Sequence, residues 1–357
     1  MRYNPALDGL RGIAILLVLG FHLGLLPFGW IGVQLFFVLS GFLITRILVE
    51  TRSLPAGAYF KRFYWRRTLR IFPLYYAFLA VAAVVFAVSG SPEGFDQDWQ
   101  YLVTYTHNLA RLQSGDVHTF VHFWSLAVEE QFYLVWPVLI FLLSPSALRK
   151  TALAILVAVP LLRWLAGDMA DSADGVTAHY AERVVYSLPF SHFDAFAIGA
   201  LVATCPLQWI RNRRSALLGG LAIIGAVGCV HVVILHLQGG VFWPHFGYPH
   251  YLGPNAQYVW GFTLLNIVAG LAVLCCRDGN AMGSWLEHRS LVYVGKISYG
   301  VYVFHVPIIE LVSRWLPIDS GLLGRVASMV ACCVLTLLIA VLSFELFEKP
   351  IMRWKGK

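Results

Sequence analysis

Apolar stretches of about 20 residues, enough to cross a bilayer as a helix, recur ten times along this 357-residue chain. They lie at 10–28, 31–48, 73–89, 124–143, 151–167, 189–205, 216–237, 258–276, 297–316 and 326–347. In lipid a backbone must satisfy its own polar groups, and runs this long do so as helices. The spacing therefore predicts an all-α polytopic membrane protein with about ten transmembrane helices. Charged residues make up 13% of the chain, half of the roughly 25% found in soluble domains. No separate soluble unit is expected, and residues 1–357 read as a single integral-membrane domain. The first run follows no basic region and meets no small-residue cleavage site, so it reads as a retained helix rather than a signal peptide. Residues 99–112, WQYLVTYTHNLARL, read as a helix lying in the interface.

Lysine and arginine set the orientation. With the N-terminus inside, the cytoplasmic segments hold 21 of the 26 basic residues. The other five, Arg111, Arg163, Arg183, Arg314 and Arg325, fall outside, with acidic clusters at 93–98 and 168–174. Both termini are expected in the cytoplasm. The net charge of +7 then belongs to the inner face and its anionic lipids, and no nucleic-acid partner is needed.

Ionisable groups inside such segments are costly and point to function. The opening stretch LDGLRGIAILLVLGFH, residues 7–22, carries three. Arg11 and His22 are eleven residues apart, a net rotation of about 20° and an axial separation of about 16 Å, so they share one face. Asp8 lies on that stripe, placed to pair with Arg11. An anion-binding group thus stands at the inner boundary and a titratable one well inside the bilayer. Glu129, Glu130, His192, Asp194 and His305 also fall within apolar runs. Counting helical rise from the outer ends puts Glu129, Glu130 and Asp194 at about 8 Å depth and His22 at about 12 Å. All could meet in one outward cavity. Glu129 and Glu130 point about 100° apart, and Glu130 is the preferred partner for His22. His305 precedes Pro307, and either lines the cavity or caps backbone groups freed by that proline.

The stretch 7–22 resembles the opening motif of the membrane acyltransferase-3 family. The resemblance continues through GWIGVQLFFVLSGFLITRIL (29–48), FYWRRTLRIFPLYY (63–76), FWSLAVEEQFYLVWP (123–137), FSHFDAFAIGAL (190–201), ISYGVYVFHVP (297–307) and FELFEKP (344–350). It spans nearly the whole chain in order. It implies transfer of an acyl group, commonly acetyl, from a cytoplasmic acyl thioester to a hydroxyl of a carbohydrate, lipid-linked glycan or other small acceptor. A bacterial inner membrane is the expected location. The motifs carry over Arg11, His22, Arg67 and Arg70 as functional positions. Gln34 departs from the family, which more often has Asp there, so no catalytic carboxylate is expected at that position. The appended esterase-like domain of some relatives is not visible, and the chain is expected to act alone or with a separate extracytoplasmic partner.

Residue chemistry fits these roles. Arg67 and Arg70, three apart and so on one helix face, join Arg11 in suiting the phosphates of acyl-CoA, acetyl-CoA foremost, as donor substrate. His22 is the natural general base, with Glu130 or Glu129 orienting it as in a triad. Asp194 and His305 complete the expected substrate pocket. Glu345 and Glu348 are expected to pair with the basic belt, including Lys349. No metal is expected, because the six cysteines and the histidines at 107, 118, 122, 179, 245 and 250 lack metal-ligand spacing. The rival class is a proton-coupled transporter or flippase, which also buries acids and histidines, although no two-half repeat is visible. Acceptor selectivity is expected in the loops 89–123, 168–190 and 238–257. The last of these is aromatic-rich and suits either sugar stacking or the interfacial belt.

Overall fold

The computed structural model describes residues 3–92, 94–112, 120–171, 178–206, 208, 212, 214–238, 246, 248, 256–277, 284–316 and 321–356. Among the described residues every regular element is helical. The first helix, α1 (Pro5–His22), starts where Pro5 fixes the first turn and Asn4 caps it, its Oδ1 accepting from the Ala6 N–H at 3.1 Å. It ends at His22 because Gly24 adopts a φ of +70°, letting the N–H groups of Leu25 and Leu26 fold back onto the Gly20 carbonyl. The apolar run continues to residue 28, but the helix does not. His22 therefore stands in the last turn rather than mid-helix.

The chain continues as α2 (Ile31–Thr51), α3 (Ala56–Ser89), α4 (Phe95–Val103), α5 (Trp124–Leu142), α6 (Pro145–Asp171) and α7 (Ala178–Ser187). Then come α8 (Phe193–Thr204), α9 (Arg214–Leu237), α10 (Gln257–Arg277), α11 (Arg289–Lys296), α12 (Ser298–Trp315) and α13 (Gly321–Ser343). Each of the ten apolar runs holds a helix. Among the described residues, seven helices are long and apolar enough to cross a membrane, or eight if α11 and α12, bent by 71°, count as one. Of the other two, α8 has 12 residues, about 18 Å of rise. Helix α9 has 24 residues, about 36 Å of rise. In contrast, α3 runs for 34 residues, about 51 Å. It is one helix from the basic motif into the apolar run, with Pro73 inside it, so Arg67 and Arg70 share a helix with the apolar segment.

Two close approaches fix the bundle. Helix α2 lies along α8, and α1 along α11. A Cβ on Gly41 would come within 2.2 Å of the Phe196 carbonyl oxygen, and one on Gly199 within 2.2 Å of the Val38 oxygen. Likewise a Cβ on Gly295 would lie 1.8 Å from the Asp8 oxygen. Small residues allow such contacts between membrane helices, where packing rather than water release drives association. The α1–α11 contact brings the polar stripe of α1 beside α12.

A second tie is polar. Arg163 of α6 is completely buried, although the charge count assigns it to the outside. Its Nη2 donates to Asp194 at 2.5 Å, its Nε to the Ser191 carbonyl at 2.8 Å, and its Nη1 to Thr263 Oγ1 at 3.0 Å. Asn266 Nδ2 donates to the other Asp194 oxygen at 3.1 Å. This network joins α6, α8 and α10 and satisfies a charge pair that lipid would otherwise penalise.

Candidate active site

Two cavities lie along α1. The inner one, about 760 Å³ counting its open mouth, is lined by Arg11, by Ser40 of α2, by Arg67 and Arg70 of α3, and by Glu129, Glu130 and Tyr133 of α5. Three guanidinium groups from two helices thus converge as the helical spacing implies. Arg11 also holds Asp8 at 3.1 Å. The Arg67 guanidinium sits 5.2 Å from the centre of the Tyr133 ring, a cation–π arrangement. Glu129 accepts hydrogen bonds from Ser40 and Tyr133. Glu130, beside it, lies in the field of Glu129 and Arg67.

The outer cavity, about 730 Å³ on the same measure, is lined by His22, Trp30, Arg111, His122, Trp124 and Tyr186 among others. His22 Nδ1 lies 2.9 Å from the Val18 carbonyl oxygen. A carbonyl only accepts, so Nδ1 carries the hydrogen and Nε2 of the neutral ring presents its lone pair. The His305 ring stands edge-on to His22 with centroids 4.7 Å apart, and to His122 at 4.9 Å. His305 is fully buried, and its Nδ1 donates to the Tyr302 carbonyl at 2.7 Å.

Val33 and Tyr302 line both cavities. The Tyr302 hydroxyl donates to the His122 carbonyl at 2.7 Å and so accepts from Ser125 Oγ at 2.5 Å. Arg11 faces one chamber and His22 the other, separated by about 16 Å of helical rise.

The two carboxylates expected beside His22 are on the other side of that wall. Glu129 and Glu130 line the inner cavity with the arginines, and among the described residues no Asp or Glu lines the outer one. A backbone carbonyl, that of Val18, holds the imidazole instead. Asp194 lines neither cavity, being engaged by Arg163, Thr263 and Asn266. Depth alone could not separate these groups, because it leaves the direction of each helix face open. Gln34 is buried, and its Nε2 donates to His192 Nδ1 at 3.1 Å. His192 Nε2 then donates to the Tyr186 carbonyl at 2.9 Å, so both residues buttress a wall of the outer cavity. Glu345 pairs with Lys349 at 2.6 Å.

Sequence reasoning missed His122, Arg111, Trp30, Trp124 and Tyr186. The available signal was the density of aromatic residues around the FWSL motif, directly after His122. His118, His245 and His250, and most of 238–257, lie outside the described residues. Among the described residues no group of three or more His, Cys, Asp or Glu side chains has metal-binding geometry.

The family model described as an acyltransferase domain matches residues 4–345. The chain belongs to the acyltransferase-3 family. It is similar to the peptidoglycan O-acetyltransferase OatA of Listeria monocytogenes, 29% identical over 99% of this chain and 56% of that protein. It is also similar to YrhL of Bacillus subtilis, 30% identical over 98% of this chain and 55% of that one. The O-acetyltransferase OatA of Staphylococcus aureus is 27% identical over 99% of this chain and 58% of its own length. The chain spans about half the length of the curated relatives it matches. No solved structure matches. Both cavities of this acyltransferase-3 chain lie within the matched region.

Proposed function

We propose that the protein is a membrane O-acyltransferase, moving an acetyl group from cytoplasmic acetyl-CoA to a hydroxyl of a glycan beyond the membrane. The observation that carries this reading is the pair of chambers sharing Tyr302 and Val33, with guanidinium groups in one and His22 in the other. The donor's phosphates sit against Arg11, Arg67 and Arg70, where the planar fork of arginine suits them. The neutral arm reaches past Tyr302 and delivers the thioester to the outer chamber. The relatives' names, peptidoglycan O-acetyltransferase and O-acetyltransferase, support a glycan acceptor, free or lipid-linked, and a bacterial cytoplasmic membrane.

His22 Nε2 takes the proton of the acceptor hydroxyl as that oxygen bonds to the thioester carbon. The Val18 carbonyl fixes the tautomer for this task and stabilises the imidazolium that forms, the part a carboxylate plays in a triad. The carbon–sulfur bond then breaks, and the His22 imidazolium returns its proton to the departing thiolate. Glu129, beside the arginine cluster, offsets part of its charge when the donor has left.

The test is acceptor-dependent release of free CoA by the purified protein in lipid vesicles. Arg67→Ala/Arg70→Ala should weaken CoA binding, while His22→Ala should bind CoA and not turn over. A wild type that neither binds nor consumes acetyl-CoA overturns the donor assignment.

A further inference from the structure

Helix α3 is longer than a membrane is thick. Its 34 residues rise about 51 Å, against about 30 Å of hydrocarbon. The excess lies at its N-terminal end, because Lys61, Arg62, Arg66, Arg67 and Arg70 all precede the apolar run that starts at residue 73, and charge inside hydrocarbon is costly.

This overhanging part has two sides. At about 100° per residue, Lys61, Trp65, Arg62 and Arg66 fall on one arc of about 140°, and all four are exposed. The rest of the turn packs inward. Tyr59 and Phe63 are buried, and the Tyr59 hydroxyl donates to the Pro137 carbonyl of α5 at 3.0 Å. Among the described residues Lys61, Arg62 and Arg66 have neither an acidic partner nor a hydrogen bond.

The end of the chain adds to the same surface. Residues 349–356 lie along α3, with the Met352 sulfur 3.9 Å from Arg70 Nη1. Arg353 and Trp354 follow directly. Both are exposed, and Arg353 is unpaired among the described residues.

Exposed lysine or arginine alone marks only a side of the membrane. Here unpaired cations, two exposed indole rings and a position just beyond the hydrocarbon coincide. Tryptophan settles at headgroup depth, where basic groups meet phosphate. A free phosphate would engage the cations alone, whereas a lipid headgroup lies against cations and indoles together.

We propose that Lys61, Arg62, Arg66 and Arg353, bordered by Trp65 and Trp354, form a binding surface for anionic phospholipid headgroups. The lipid phosphate sits among the cations, and the indole rings flank its glycerol backbone. Arg67 and Arg70, on the adjoining side of the helix, line the inner cavity instead.

The test reconstitutes the full chain in phosphatidylcholine vesicles with a trace of nitroxide-labelled phosphatidylglycerol or phosphatidylcholine. Electron paramagnetic resonance reads the fraction of each label held at the protein surface. The wild type should prefer phosphatidylglycerol by about tenfold, the scale set by a few cations at such a surface, and high salt should weaken the preference. Lys61→Gln/Arg62→Gln/Arg66→Gln should bring it within about twofold of none, with thermal melting in detergent confirming the fold. Arg149→Gln/Lys150→Gln, which removes exposed cations from the start of α6, should keep most of it. Removing charge can disturb insertion, so the wild type supplies a second reading. Inorganic phosphate or CoA, compared with chloride at equal ionic strength, should displace no labelled lipid. A wild type without preference, or a preference unchanged in the triple variant, overturns the proposal. So does an equal loss in the α6 variant, which would assign the effect to overall charge. Displacement by phosphate or CoA overturns it too, giving these cations to a soluble anion.

Discussion

Tyr302 and Ser125 share a hydroxyl–hydroxyl hydrogen bond of 2.5 Å at the wall between the two cavities. One residue comes from α12 and the other from α5, so the bond also ties those two helices together at the wall.

Tyr302→Phe keeps the ring and removes the bridging hydroxyl. It leaves Ser125 Oγ with only its longer approach to the His122 carbonyl, at 3.4 Å. The expected cost is about 1–3 kcal/mol of stability, the penalty for a buried polar group that loses its partner. Thermal unfolding in detergent measures it. Turnover should fall more than CoA affinity, because the change is at the passage and not at the arginines.

His22→Gln removes the base and keeps a group of similar reach. Loss of a general base costs about 10²–10⁴ in rate, so turnover should fall by that factor while Kd for CoA stays within twofold of wild type. Comparable loss in binding and rate would place His22 in donor recognition instead.

The Arg163–Asp194 pair is completely buried. Removing one partner strands a charge, at about 3–5 kcal/mol. Arg163→Met and Asp194→Asn should each lower the melting temperature sharply. The double variant should recover part of the loss, since it leaves no unpaired charge. Full retention of stability in either single variant would show that the network is dispensable.

At Gly199 a Cβ would meet the backbone of α2, 2.2 Å from the Val38 oxygen. Backbone cannot step aside as a side chain can, so Gly199→Ala must separate α2 from α8. Folded yield after membrane extraction should collapse. Gly219→Ala, where a Cβ meets nothing within 4 Å, is the matched control and should extract normally.

The sequence by itself determined what depends on local periodicity. The ten apolar runs, the shared face of Arg11 and His22, and the common side of Arg67 and Arg70 all follow from residues a few turns apart on one helix. The ordered motifs carry the family resemblance, and residues 4–345 match the family model. Tertiary structure decided which faces meet. It put Glu129 and Glu130 with the arginines, locked Asp194 onto Arg163, and brought Arg111 and His122 to the chamber that holds His22. Those outcomes rest on glycine contacts such as Gly41 with Phe196 and Gly295 with Asp8. Such contacts join residues far apart in the chain, and the periodicity of one helix carries no information about the partner its face will find.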